Sequence, residues 1–135
     1  MTFRPGGFVK SSGVGRGGPG IPRPVKESML ATEHPTTLDI AWAAGIFEGE
    51  GHADNSAYKS GGLSTRVKIA QKERWILDRL RARFGGSVFE TTSYKHSYPQ
   101  WQVAGVLARG FLFTIFTFLS PHKRLQVKRA LGIAE

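Results

Sequence analysis

The 135-residue chain has no cysteine. Disulfide scaffolds, zinc fingers, iron–sulfur sites and thiol nucleophiles are excluded together. Long hydrophobic runs are also missing. The longest, Phe111 to Leu119, falls far short of the roughly 20 residues that cross a bilayer, and Arg109 lies just before it. The N-terminal region has no compact apolar stretch of the secretory kind, because glycine and proline interrupt it throughout. The expectation is a soluble protein that is not secreted. Acidic residues are scarce, with 10 Asp plus Glu against 19 Lys plus Arg, a net charge of +9 and a pI near 10.4. This balance disfavours an acidic-surface enzyme and favours a polyanionic partner, nucleic acid before an anionic membrane. The four histidines, His34, His52, His96 and His122, share no ligand spacing, so nucleases built on a histidine–metal unit gain no support.

What is present suits one folded domain, since 40% of the residues are hydrophobic and 21% charged. Residues 1–35 stand apart. They hold seven of the 17 glycines and five of the seven prolines, with Arg4, Lys10, Arg16, Arg23 and Lys26 among them. Such a segment buries too little apolar surface to offset its chain entropy, so a flexible basic arm is expected, followed by a folded domain over residues 36–135.

From Thr36 the pattern turns regular. Thr36-Thr37-Leu38-Asp39 reads as a capping-box-like helix start, and the helix runs to about Gly49 and stops at Gly51. Leu38, Trp42 and Ile46 form a row of large apolar residues on it, and Ala41, Gly45 and Gly49 form a row of small ones. Strands are expected at about His52–Tyr58 and Leu63–Gln71, joined by the hairpin loop Lys59-Ser60-Gly61-Gly62. A second helix follows over about Lys72–Phe84, with Ile76, Leu77, Leu80 and Phe84 as its stripe, ended by Gly85-Gly86. Two more strands, about Ser87–Thr92 and Tyr98–Ala104, precede a buried helix within Val106–Leu119 and a basic helix over about His122–Leu131. The expected fold is α+β, in the order αββαββαα, with helices on one face of an antiparallel four-stranded sheet. The other face is left open, a place for a duplex.

Strand phase identifies that open face. Val67, Ile69, Trp101 and Val103 turn to the core, as do Ala53 and Ala57. Asp54, Ser56 and Tyr58 of the first strand then face outward with Ser64, Arg66 and Lys68 of the second and Gln100 and Gln102 of the fourth. Lys59 in the hairpin loop joins them as a candidate DNA contact. These residue types read major-groove edges. A polar solvent face explains the alternation equally well, and only the bias towards positive charge favours DNA. The phase of Ser87–Thr92 is not assignable from the pattern.

Chemistry concentrates in Ala43–Gly51. Glycines at 45 and 49 each cost the helix about 1 kcal/mol relative to alanine, and a small row at i, i+4 lets two helix backbones approach closely. Ala44 and Glu48 lie beside that row, completing a candidate helix–helix interface. Glu50 falls at the helix C-terminus, where the macrodipole disfavours a carboxylate. A divalent cation would compensate it.

The stretch Ala43–Gly51 resembles the signature motif of the LAGLIDADG homing endonucleases. Ala44, Gly45 and Gly51 match outright, Ile46 and Phe47 are suitably hydrophobic, Glu48 and Glu50 replace two aspartates, and Ala43 replaces the leading leucine. Lys68–Glu73, Leu77, Leu80 and Phe84-Gly85-Gly86 resemble the family's second strand, middle helix and glycine turn. Trp101-Gln102-Val103, Pro121, Lys123-Arg124 and Gln126 resemble its closing segment. The blocks fall in order over about residues 36–131.

The resemblance implies a site-specific DNA endonuclease making metal-dependent double-strand breaks. With one motif per chain it implies a homodimer on a roughly palindromic target, in the cytoplasm or wherever that DNA resides. Glu50, helped by the Gly51 carbonyl, would hold Mg²⁺ or another divalent cation. Gln71 and Lys123 match positions that order water or stabilise charge beside the metal, and Glu48 matches the acid that supports the helix end. A second reading is a non-cleaving nucleic-acid binder, either an RNA maturase acting on intron RNA or a degenerate regulator. Retention of Glu50 argues against simple decay. A third is a half that needs a different partner chain.

Overall fold

The computed structural model describes residues 25–57, 62–93 and 96–133. Residues 1–24, Tyr58 and Lys59 lie outside the described residues. Helix α1 (Thr37–Glu50) leads directly into β1 (Gly51–Ala57), followed by β2 (Leu63–Ala70) and α2 (Arg74–Phe84). Then come β3 (Ser87–Ser93), β4 (His96–Ala104), α3 (Gly105–Ile115) and α4 (Pro121–Leu131). The order is the expected one. The expected Val106–Leu119 helix divides into α3 and a 3₁₀ turn at Phe116–Phe118. Among the described residues no helix is long and apolar enough to cross a membrane.

Helix α1 starts where the sequence puts its cap. The Thr36 hydroxyl accepts from the Asp39 N–H at 3.1 Å, and the Asp39 carboxylate accepts from the Thr36 N–H at 2.9 Å. This reciprocal pair satisfies two amides that the helix itself leaves unbonded. Asp39 is buried and also accepts from Arg79 Nη2 at 2.9 Å and Arg83 Nε at 3.0 Å of α2. Its carboxyl is held well below the usual carboxylate range, chiefly by the Thr36 backbone amide, next by Arg79, and further by the Thr36 hydroxyl and Arg83. A folded pKa below the unfolded value of about 3.9 gives stability that is present above that pH and lost as pH falls towards the folded value. Thermal melts from pH 7 to 3 are expected to show wild-type stability dropping steadily below about pH 4. Asp39→Asn is expected to be less stable at pH 7 and to show a shallower acid loss.

Part of the segment expected to be a flexible arm, residues 25–35, is bonded to α2. The Thr32 and Glu33 amides both donate to the Ala82 carbonyl at 3.0 Å, and the Gly86 amide donates to the Met29 carbonyl at 2.8 Å. The last carbonyls of a helix need outside donors, and this segment supplies two to the Ala82 carbonyl. Ordered packing therefore begins before Thr36.

The sheet is antiparallel throughout, in the order β1-β2-β4-β3. Ala53, Val67, Ile69, Trp101 and Val103 point from it into a core shared with Phe47, Leu77, Leu80, Leu112, Ile115 and Val127. The Trp101 indole N–H donates to the Gly85 carbonyl at 2.8 Å, so its burial leaves no orphan donor. Gly85 and Gly86 have φ of 82° and 91°, a backbone region that favours glycine and turns the chain sharply from α2 into β3.

Ala57 is exposed rather than buried, because β1 runs past the helices that cover Ala53. Helix α4 lies along β1, the outer strand. Gln126 Oε1 accepts from the Ala53 amide at 3.0 Å, and Asn55 Nδ2 donates to the Arg129 carbonyl at 2.9 Å. The Thr65 hydroxyl donates to the Ala130 carbonyl at 3.0 Å.

Candidate functional site

The end of α1 gathers most of the candidate chemistry. Glu50 is its last residue, exposed and without a hydrogen bond or ion pair among the described residues. Gly51 follows, buried against Phe47. A Cβ there would overlap the Phe47 ring and lie 2.9 Å from the Phe47 Cα, so sterics alone require glycine. The Lys123 ammonium of α4 donates to the Gly51 carbonyl at 2.7 Å and lies 5.1 Å from the centre of the Phe47 ring. Lys123 and Gly51, 72 positions apart, thus meet beside Glu50. Gln71 follows the end of β2, where Ile69 pairs with Gly51, so it lies at the same end of the sheet. Its backbone N–H donates to the Pro99 carbonyl at 3.3 Å.

Glu48 points inward to α4. Its carboxylate accepts from the Ser120 amide at 2.8 Å and the Ser120 hydroxyl at 2.7 Å. Those bonds, the amide first, hold its pKa below the ordinary glutamate range, with Lys123 and His122 adding to the effect. Ser120 is also the N-cap of α4, where its hydroxyl accepts from the Lys123 amide at 3.2 Å. Glu48 therefore ties the end of α1 to the start of α4 and so helps place Lys123. Ser120 was not among the expected site residues, although the Ser-Pro step opening α4 marks it as a cap.

The outer face of α1 carries Leu38, which is 80% exposed, together with Ala41, Gly45 and Gly49. A Cβ at Gly45 or Gly49 would meet nothing within 4 Å. Of the two other residues expected on this face, Ala44 is buried and Glu48 is half-buried against α4. Ala44 is 2% exposed within the core and Glu48 is bonded to Ser120. Ala44 is rotated off the outer row, whereas Glu48 stays close to the Ala41 stripe and reaches α4 through its side chain. Of the row Leu38, Trp42 and Ile46, the first is exposed and the other two are half-buried against the edge of the core, whose centre takes other residues of α1. Ala43, Ala44 and Phe47 fill that role.

The open face of the sheet holds the remaining candidates in rows set by the register. His52, Lys68, Gln102 and Ser87 make one row, and Asp54, Arg66 and Ala104 the next. Ser56 pairs with Ser64, while Ala70, Gln100 and Phe89 form a row towards the other end. Every described candidate from the strands is half-buried on this face, and none points to the core. Arg66 Nε and Nη2 donate to the two Asp54 carboxylate oxygens at 3.2 and 3.4 Å, and His52 Nε2 lies 3.5 Å from Asp54 Oδ2. Strand β3 adds Ser87, Phe89 and Thr91, since Val88 opposite Trp101 packs against the core.

Among the described residues no group of three or more His, Asp or Glu side chains could hold a metal ion. Glu50 and the Gly51 carbonyl are an incomplete oxygen set. That suits a hard cation such as Mg²⁺, which commonly takes one or two carboxylates and completes its shell with water and substrate phosphate.

No family model matches the sequence, and no curated protein matches it significantly. Solved structures do. The homing endonuclease I-CvuI, in complex with its target in the presence of 2 mM Ca, gives a TM-score of 0.56 at 20% identity, over 70% of this chain. The match spans 64% of the I-CvuI chain, just under two thirds. I-CvuI has also been solved with the I-CreI target in 2 mM Mg, with the DNA not cleaved. The archaeal intron-encoded I-Vdi141I, complexed with DNA, gives 0.55 at 23% identity over 70% of this chain and 68% of its own. I-CeuI, encoded in a group I intron and also complexed with DNA, gives 0.53 at 14% identity over 76% and 56%. The α+β architecture, with its open four-stranded antiparallel sheet, is that of the LAGLIDADG homing endonucleases.

Proposed function

We propose that this chain is a site-specific, metal-dependent DNA endonuclease that acts as a homodimer on a roughly palindromic target. The observation that carries this reading is the Glu50 carboxylate. It stands exposed at the C-terminal end of α1, with no partner among the described residues, where the helix field disfavours it. A divalent cation, and only through it a phosphodiester, is the partner that such an acid lacks. The DNA complexes of I-CvuI and I-Vdi141I and the divalent cations present with I-CvuI support the same reading.

Each residue of the helix end then has a role. Glu50 and the Gly51 carbonyl would hold Mg²⁺ or another divalent cation, and pairing two chains would bring two such ends to opposite strands. The cation, when bound, polarises the scissile phosphate and stabilises the leaving 3′-oxygen. Lys123 orients the Gly51 carbonyl and brings positive charge to where phosphate charge builds. Gln71 orients water at the same end of the sheet. Asp54, Ser56, Ser64, Arg66, Lys68, Gln100 and Gln102 face the major groove, where side chains of these types discriminate base pairs.

Incubation with a randomised duplex pool and Mg²⁺ tests the reading. It is expected to enrich cleaved products that share one pseudo-palindromic sequence with short 3′ overhangs. Retention of a specific sequence without cleavage would instead support the non-cleaving binder, and no enrichment of either kind would remove the function.

A further inference from the structure

The pairing of Arg66 with Asp54 goes further than an assignment of the open face to DNA. A guanidinium has five N–H donors in a rigid plane. Here Nε and Nη2 are both directed to the Asp54 carboxylate, at 3.2 and 3.4 Å. This fork uses the side edge of the guanidinium. The end edge, formed by Nη1 and the second Nη2 hydrogen, has no hydrogen-bond partner among the described residues. On its other flank Arg66 pairs with Ala104, whose methyl group offers no acceptor. Asp54 therefore restricts the rotation of a long, part-exposed side chain on the open face and leaves two parallel donors without a partner among the described residues.

Two parallel donors match one base edge in the major groove. Guanine offers adjacent acceptors at N7 and O6, whereas adenine replaces the second with a donor and the pyrimidines lack the pair. We propose that Arg66 reads a guanine at one position in each half of the target, and that Asp54 is the positioning residue that aims it. The inference rests on the reading of the open sheet face as a DNA-reading surface and adds which base is read and by which pair.

Selection of bound duplexes from a randomised pool, without divalent cation so that no strand is cut, tests it with four proteins. Wild type is expected to enrich a site with guanine at one position per half. Arg66→Gln and Arg66→Lys should each lose that preference by roughly 5- to 150-fold, the range set by one bidentate contact, with the other positions unchanged. Lysine keeps the charge without the fork, so loss in that variant separates base reading from simple attraction to phosphate. Asp54→Asn keeps the shape but not the charge, and is expected to relax the same position and no other.

Arg66 variants that bind all sequences uniformly more weakly, with guanine still selected, would overturn base reading. An unchanged profile for Asp54→Asn would overturn the positioning role. A wild-type protein that enriches no sequence removes the parent reading as well, a result distinct from either. Both positions are on the sheet surface, and circular dichroism of each variant confirms that the comparison is between folded proteins.

Discussion

Glutamine at position 50 is expected to lower the rate of strand cleavage by about three orders of magnitude, while affinity for the target and the melting temperature stay near wild type. The size follows from removing one anionic metal ligand, because a metal's stabilisation of the reacting phosphate is worth several kcal/mol and each 1.36 kcal/mol is tenfold in rate. The selectivity of the effect follows from position. The Glu50 side chain is exposed at the end of α1 and makes no bond to any described residue, so an amide of equal size disturbs nothing among them. Relief of an unfavourable charge at the helix C-terminus works, if anything, in favour of the fold. Glu48→Gln is the contrasting variant, since it weakens two bonds to Ser120 and so loosens the junction of α1 with α4. Single-turnover cleavage of the selected target reads the rate, and a Glu50→Gln enzyme that cuts as fast as wild type would refute the assigned chemistry.

Leucine at position 45 is expected to convert a dimer to monomers and to lower target affinity by about 10²-fold or more, the scale of gain that linking two binding modules provides. Within one subunit the change should be benign. A side chain there meets nothing within 4 Å, and leucine is a better helix former than glycine by several tenths of a kcal/mol. Across a close helix–helix contact the same side chain would strike the partner backbone, which only a row of small residues lets approach. The substitution therefore tests the pairing surface without testing the fold. Sedimentation mass, far-ultraviolet circular dichroism and a binding titration read the outcomes together. A folded Gly45→Leu protein that remains dimeric and fully active would show that Ala41, Gly45 and Gly49 do not form the pairing face.

Much of the architecture is legible because local physics and global packing agree. Val67 and Ile69 alternate with Arg66 and Lys68, and Trp101 and Val103 alternate with Gln100 and Gln102. A period of two leaves only one way to bury such strands. Thr36 and Asp39 stand three apart and bond as that spacing requires. Helix α1 is harder to read because it is apolar around most of its circumference, so periodicity has little contrast to exploit. Leu38 outranks Ala43 in hydrophobicity, yet Ala43 is buried and Leu38 is exposed. In β3 the adjacent Val88 and Phe89 compete for the same face, and only pairing with β4 decides between them.

In the candidate site, the positions of Glu50 and Gly51 follow from the helix that carries them. The partners Lys123 and Ser120 are each 72 residues from the groups they bond, and no local pattern encodes such a meeting. The inward turn of Glu48 belongs to the same class. It sits beside the small row on paper, but it answers to a serine on another helix.

The hold that α4 keeps on β1 has a consequence for assembly. An outermost strand with free amides is a template on which another chain can anneal. Here the Ala53 amide is taken by Gln126, and Asn55 is anchored to the Arg129 carbonyl. Growth of one continuous sheet across two molecules is therefore opposed at Ala53, and in the proposed homodimer two discrete platforms would be joined through helices. In such a pair, any adjustment to a duplex would then fall on the helical contact and not on the strand ladders.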